Sequence, residues 1–151
     1  MRHTFHQSLT WDHHRNTVGK VVIADHQLEF SIPAALDGPG RGTNPDELLL
    51  SSAAGCYIMT LGAMFERSQI AHADIELRSE LVVEVEDGIY RVSELHHYPT
   101  ILNYPHEKKK ILERLVHKAD ERCMISNALK GSVKIMVHPT FQEEHHENSP
   151  I

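Results

Sequence analysis

The order of elements written into this chain predicts an α+β fold, with mainly antiparallel sheets packed around two long helices. Three observations carry that prediction. Short alternating segments occupy the stretch before Pro33, an uncharged run extends from Leu48 to Phe65, and two long alternating segments meet at Asp87-Gly88.

Taken in order, Phe5, Leu9 and Trp11 alternate with His6, Ser8 and Thr10, which suits a half-buried strand over 3–11. Lys20 to Ala24 and Gln27 to Ile32 predict two further strands turning at Asp25-His26, and Pro33 ends that unit. The glycine-rich loop from Gly38 leads into a helix start. Asn44 is an N-cap, Pro45 suits the first helical position, and Glu47 completes a capping box with Asn44. The helix then runs to about Ser68. Its uncharged composition predicts a central helix, fully buried, and a single small domain has trouble covering such a helix alone. Residues 75–86 and 89–101 are two long strands, with Asp87-Gly88 as the hairpin turn. Ile111, Leu112, Leu115, Val116, Ala119 and Cys123 recur at helical spacing, predicting a second helix from Glu107 to about Cys123. Ser132 to His138 is a final strand. One domain over 1–140 is expected, followed by a polar, flexible tail over 141–151.

Composition narrows the function. A net charge of −6 and a single basic run, Lys108-Lys109-Lys110, argue against nucleic-acid binding, which needs a clustered basic surface. The run from Leu48 to Phe65 sits at the lower edge of a membrane span. It is diluted by Ser51, Ser52, Gly55, Thr60 and Gly62 and flanked by strand patterns, so no membrane partner is expected. The N-terminus lacks the apolar core of a secretory signal. Two cysteines without an export signal suit a reducing compartment, and a cytoplasmic location is expected.

Those two cysteines are the chemically informative residues. Each has a bland explanation in packing: Cys56 follows a run of small residues, and Cys123 extends the apolar stripe of its helix. Their surroundings, however, are particular. GPGRGTNPDELL leads into SSAAGC, and later comes ADERCMISNALKG. Together these resemble the OsmC/Ohr family, the osmotically inducible protein C and organic hydroperoxide resistance proteins, over almost the whole chain.

The resemblance implies an OsmC-like fold built as an intertwined homodimer, and a cysteine-based peroxidase that reduces organic hydroperoxides. It implies that Cys56 is the peroxidatic thiol and Cys123 the resolving one. Arg15, in HHRNTVGK, stands where the family places an arginine, and Asp46, ten residues before Cys56, where it places a carboxylate. Some positions depart from the family pattern. Asp46 stands in place of a glutamate, with Glu47 beside it as the alternative carboxylate, His13-His14 replace glycines, and Met124 follows Cys123 where proline is common. The implied partners are the peroxide and an external dithiol reductant, a lipoyl group or small thiol, with no bound cofactor.

The residue types suit that chemistry. A thiolate attacks the peroxide's distal oxygen, and only a few per cent of a free thiol with a pKa near 8.5 is ionised at neutrality. A guanidinium, always charged, could hold the thiolate, with a carboxylate fixing its orientation. Ten residues of straight helix span about 15 Å, so Asp46 reaches a thiol only through a folded-over loop or a partner chain. The rival reading is a non-catalytic OsmC-like binding or structural dimer with inert buried thiols. Thirteen histidines invite a metal reading, but the adjacent pairs His13-His14, His96-His97 and His145-His146 would point to opposite faces of a strand, so no metal site is expected.

Overall fold

Residues 1–143 are described by the computed structural model, and they divide into two units, 1–49 and from Leu50 onward. In the first, β1 (Ser8–Thr10), β2 (Gly19–Ile23) and β3 (His26–Phe30) form an antiparallel sheet in that order. Ala24, at φ 50°, and Asp25 turn the chain between β2 and β3, pairing Ile23 with His26. β1 is shorter than the alternation over 3–11 predicts. Phe5 is 92% exposed, and alternation without a partner strand and a covered face does not make a strand.

After a single 3₁₀ turn, Ala34–Leu36, the glycine-rich loop returns beside β3. Phe30 bridges Thr43, and the buried Ser31 hydroxyl donates to the Arg41 carbonyl (2.7 Å) while accepting the Arg41 N–H (2.8 Å). Gly42 stands at φ +67°, where a Cβ would lie 2.1 Å from the Glu29 carbonyl oxygen. The close return of this loop therefore requires glycine.

The loop leads into α1 (Pro45–Arg67). The Asn44 side chain accepts the Glu47 N–H at 2.9 Å, as the sequence predicts. Glu47 does not complete the box, because its carboxylate accepts from the Thr43 hydroxyl at 3.0 Å instead. The helix was expected to be buried all round. Among the described residues of this one chain its buried residues form a single stripe, Ala53, Tyr57, Leu61 and Phe65, spaced four apart. Ser51, Ser52, Ala63 and Met59 (75% exposed) lie off that stripe and are exposed among the described residues. By length and mean hydropathy, 1.7 over its most apolar window, α1 also meets the measure of a membrane span, as core helices can.

In the second unit β4 (Asp74–Glu86) and β5 (Ile89–Tyr104) form a long antiparallel hairpin from Asp74↔Leu102 to Glu86↔Ile89. Asp87 (φ 51°) and Gly88 (φ 76°) are both left-handed, as a type I′ turn demands. A 3₁₀ turn, His106–Lys108, opens α2 (Lys109–Arg122), and a separate short helix follows, α3 (Met124–Leu129). β6 (Lys134–Val137) and β7 (Thr140–Glu143) then pair with β5 in parallel. Crossing back through α2 and α3 returns the chain to run alongside β5, the geometry that parallel pairing needs. β7 moves the start of the expected tail, since Phe141 pairs with Ile101. The rest of that tail, with His145-His146, lies outside the described residues.

Tyr57, Leu61 and Phe65 from α1 pack with Ile101 and Tyr104 from β5 and with Leu112, Val116, Ala119 and Cys123. Each fully buried leucine of such a cluster contributes about 1.5–3 kcal/mol relative to exposure. This core fixes α1 against α2, and with them the positions of the two thiols.

Candidate active site

Cys56 lies one residue before Tyr57 on α1, so its side chain sits beside the buried stripe and is only partly covered. It lines a groove of about 1020 Å³ together with Met59, Thr60, Leu115, Met124 and Ile125, edged by Arg67, Lys118 and Arg122. Cys123 is fully buried. It leaves α2 with extended backbone (φ −68°, ψ 121°) and serves as the N-cap of α3, its sulfur accepting the Ser126 N–H at 3.5 Å. Cysteine is not among the favoured N-cap residues, which is why the sequence hid this helix.

The break at Cys123 brings the two sulfurs together. Burial pushes the Cys56 thiol up, but the Cys123 thiol, the Ile125 and Met124 amides and the Thr60 hydroxyl outweigh it and hold Cys56 below the ordinary thiol range. Cys123 moves the other way. Burial raises it first and the Cys56 sulfur raises it further, against smaller help from Ser126. The proton therefore stays on the buried sulfur and leaves the accessible one. Thr60 is held by its own bond, the hydroxyl donating to the Cys56 carbonyl at 2.7 Å.

Behind the thiols is a second polar group. The Tyr57 hydroxyl donates to the Val116 carbonyl at 2.7 Å, and its ring stacks on fully buried His97. His97 Nδ1 lies 2.7 Å from the Ser79 hydroxyl. Burial lowers His97 to about 4, with the Asp120 charge opposing, so its ring is neutral. Burial, then Asp120 and Cys123, push the Tyr57 hydroxyl well up, and it too is neutral. His96 points the other way, to Glu94 (2.9 Å) and His138 (2.9 Å), as adjacent strand residues must.

The other two expected site residues lie in the first unit. Arg15 is exposed and fastens the 3₁₀ turn, Nη2 donating to the Leu36 carbonyl (2.7 Å) and Nη1 to that of Asp37 (3.0 Å). Asp46, in the first turn of α1, borders an apolar cavity of about 330 Å³ with Trp11, Phe30, Pro33 and Leu36. Among the described residues no hydrogen bond or ion pair joins Arg15 to Asp46. Nor does any group of three or more His, Cys, Asp or Glu stand ready to hold a metal among them. The residues that sequence reasoning passed over are Thr60, Met124, Ile125 and His97. Only Thr60 left a trace, a hydroxyl one helical turn after Cys56; amide donors have no signature in residue identity.

Comparison with known proteins converges on one family. The OsmC-like protein family matches residues 38–138. The chain is 38% identical over 143 residues to the uncharacterized protein YmaD of Bacillus subtilis (strain 168), covering 93% of this chain and 95% of that protein. It is 31% identical over 122 residues to an organic hydroperoxide resistance protein of Xanthomonas axonopodis pv. citri (strain 306), covering 78% and 82%. Its fold is similar to the crystal structure of an organic hydroperoxide resistance protein OsmC from Legionella pneumophila, with TM-score 0.74, 21% identity, and 92% and 99% of the two chains covered. OhrB of Bacillus subtilis is similar at TM-score 0.66 and 21% identity, with 90% and 98% covered.

Proposed function

The chain belongs to the OsmC/Ohr family, and from that membership we propose that it is a thiol-dependent peroxidase reducing organic hydroperoxides to alcohols. A peroxide-related redox role is supported at the level of the family, since its named relatives include organic hydroperoxide resistance proteins. The observation that carries the finer reading is the placement of the two sulfurs, Cys56 half-covered at the groove and Cys123 buried beside it, an arrangement that holds Cys56 low and Cys123 high.

In the proposed cycle the Cys56 thiolate attacks the distal oxygen of the hydroperoxide. The O–O bond breaks, the alkoxide takes a proton and leaves as alcohol, and Cys56 becomes a sulfenic acid. Cys123 then attacks that sulfur. Its thiol proton and the sulfenic hydroxyl depart together as water, and a Cys56–Cys123 disulfide remains. An external dithiol, a lipoyl group or small thiol, restores both thiols by exchange. Arg15 and Asp46 are proposed as the pair that orients peroxide and alkoxide, supplied by the same chain or by a partner. A homodimer is proposed because the outward face of α1 carries exposed Met59 and Ala63 beside the thiol groove. A cytoplasmic setting, with no nucleic acid or membrane as partner, fits the reducing environment that two free thiols need.

The test treats reduced protein with one equivalent of cumene hydroperoxide, counts free thiols and maps any disulfide. Loss of both thiols to a Cys56–Cys123 bond, with Cys56→Ser inactive, is the expected result. Unchanged thiols would overturn the reading and favour a non-catalytic dimer. Arg15→Ala should slow Cys56 oxidation at constant fold, and an unchanged rate would remove Arg15 from the site.

A further inference from the structure

The segment that carries the second thiol is tied down at both ends to one residue. At its start the Cys123 N–H donates to the Asp120 carbonyl at 3.3 Å. At its far end Lys130, just past α3, sends its ammonium back to Asp120, with Nζ 3.2 Å from the carbonyl oxygen and 3.2 Å from Oδ2. The Asp120 side chain is 14% exposed, and among the described residues Oδ1 is buried without a partner. Its charge acts on Tyr57 and His97 in the core.

An exposed lysine–carboxylate pair commonly contributes little to stability and fixes little. This pair differs in two ways. The carboxylate is largely withdrawn from water, and the same ammonium also bonds the Asp120 carbonyl, which already accepts the Cys123 N–H, so one cation joins both ends of the segment. The pair therefore fixes where the chain from Cys123 to Lys130 lies against the last turn of α2. Asn127, donating to the Glu121 carbonyl at 3.1 Å, adds a tie on the exposed side.

We propose that Asp120 and Lys130 form a positioning clamp for the resolving thiol, holding α3 so that Cys123 stays within bonding reach of Cys56. The clamp rests on the peroxidase reading, in which it sets the rate of disulfide closure. It acts through the segment and touches neither substrate nor reacting sulfur. Because α3 also supplies amides to Cys56, loosening it raises the pH at which Cys56 ionises. At a pH where Cys56 is fully ionised, only closure is affected.

The experiment compares wild type, Asp120→Asn, Lys130→Met, the double variant and Lys130→Arg. Each is mixed in a single turnover with one equivalent of cumene hydroperoxide, and sulfenic acid is trapped with dimedone. In each single variant, closure should slow on the order of tenfold or more and sulfenic acid accumulate, while oxidation of fully ionised Cys56 is unchanged. The double variant should be no slower than Lys130→Met, which already removes both contacts of the ammonium with Asp120. Lys130→Arg should close as wild type does. Equal closure rates in all folded variants, or oxidation slowed as much as closure, would overturn the clamp. Diamide drives the same disulfide without peroxide and gives an independent reading. Slower closure with diamide supports the clamp even where hydroperoxide leaves both thiols intact, a result that sinks the peroxidase reading alone.

Discussion

The ring of Tyr57, the residue after Cys56, stacks on that of His97 with centroids 4.7 Å apart and planes 13° from parallel. Burial holds His97 at about 4 against an ordinary 6.5, so between those values only the unfolded chain takes up the proton. Its contribution is fully present above about pH 6.5 and is lost as pH falls toward 4. The loss is on the order of 3 kcal/mol. Urea unfolding across that window should show His97→Phe with a flatter pH profile than wild type. Parallel profiles would mean that His97 is not the group responsible.

The opposed sulfurs predict selective alkylation. Near neutrality iodoacetamide should label Cys56 well before Cys123, because Cys56 is both more ionised and more accessible. Cys123→Ala removes one donor to the Cys56 thiolate, so its ultraviolet thiolate signal should titrate at higher pH. Peptide mapping with Cys123 labelled first would reverse the assigned roles.

Loop closure around Gly42 predicts a sharp local sensitivity. Gly42→Ala must accept both a left-handed backbone and a Cβ in contact with the Glu29 carbonyl, and should cost about 1–3 kcal/mol of stability by urea titration. Gly55→Ala meets nothing within 4 Å and should not destabilise the isolated chain. Similar losses at the two positions would count against the loop geometry.

The uncovered face of α1 predicts association. If a second copy covers it, Ala63→Glu places an unpaired charge in that interface and should shift the protein toward monomer by sedimentation equilibrium, with its helical signal kept. Wild type sedimenting as a monomer at high concentration would remove the dimer from the proposal.

Much of this arrangement is legible in residue order because local chemistry and tertiary structure agree there. Asp87-Gly88 demands a type I′ turn and forms one, and the Leu112, Val116, Ala119 stripe is buried as its spacing predicts. The misreadings have physical causes. α3 is six residues long and capped by a thiol, too short for periodicity and outside the usual cap chemistry. β7 follows a proline and carries polar residues, because its pairing depends on β5 rather than on its own pattern. The uncovered face of α1 is the incomplete cover that a small domain is expected to give so apolar a helix. At the site the thiols were readable, whereas the amide donors to Cys56 come from backbone that any residue would supply.

The position of α3 has a consequence for the return half of the proposed cycle. Thiol–disulfide exchange is faster when the departing sulfur is the more stable anion, so an incoming reductant does best attacking Cys123 and expelling Cys56. Yet Cys123 is the sulfur sealed from solvent, and Cys56, the one within reach, would have to expel the poorer leaving group. In the proposed cycle, quick capture of an oxidant is thus coupled to reluctant regeneration, and its tempo would belong to whatever can open the way to the hidden sulfur.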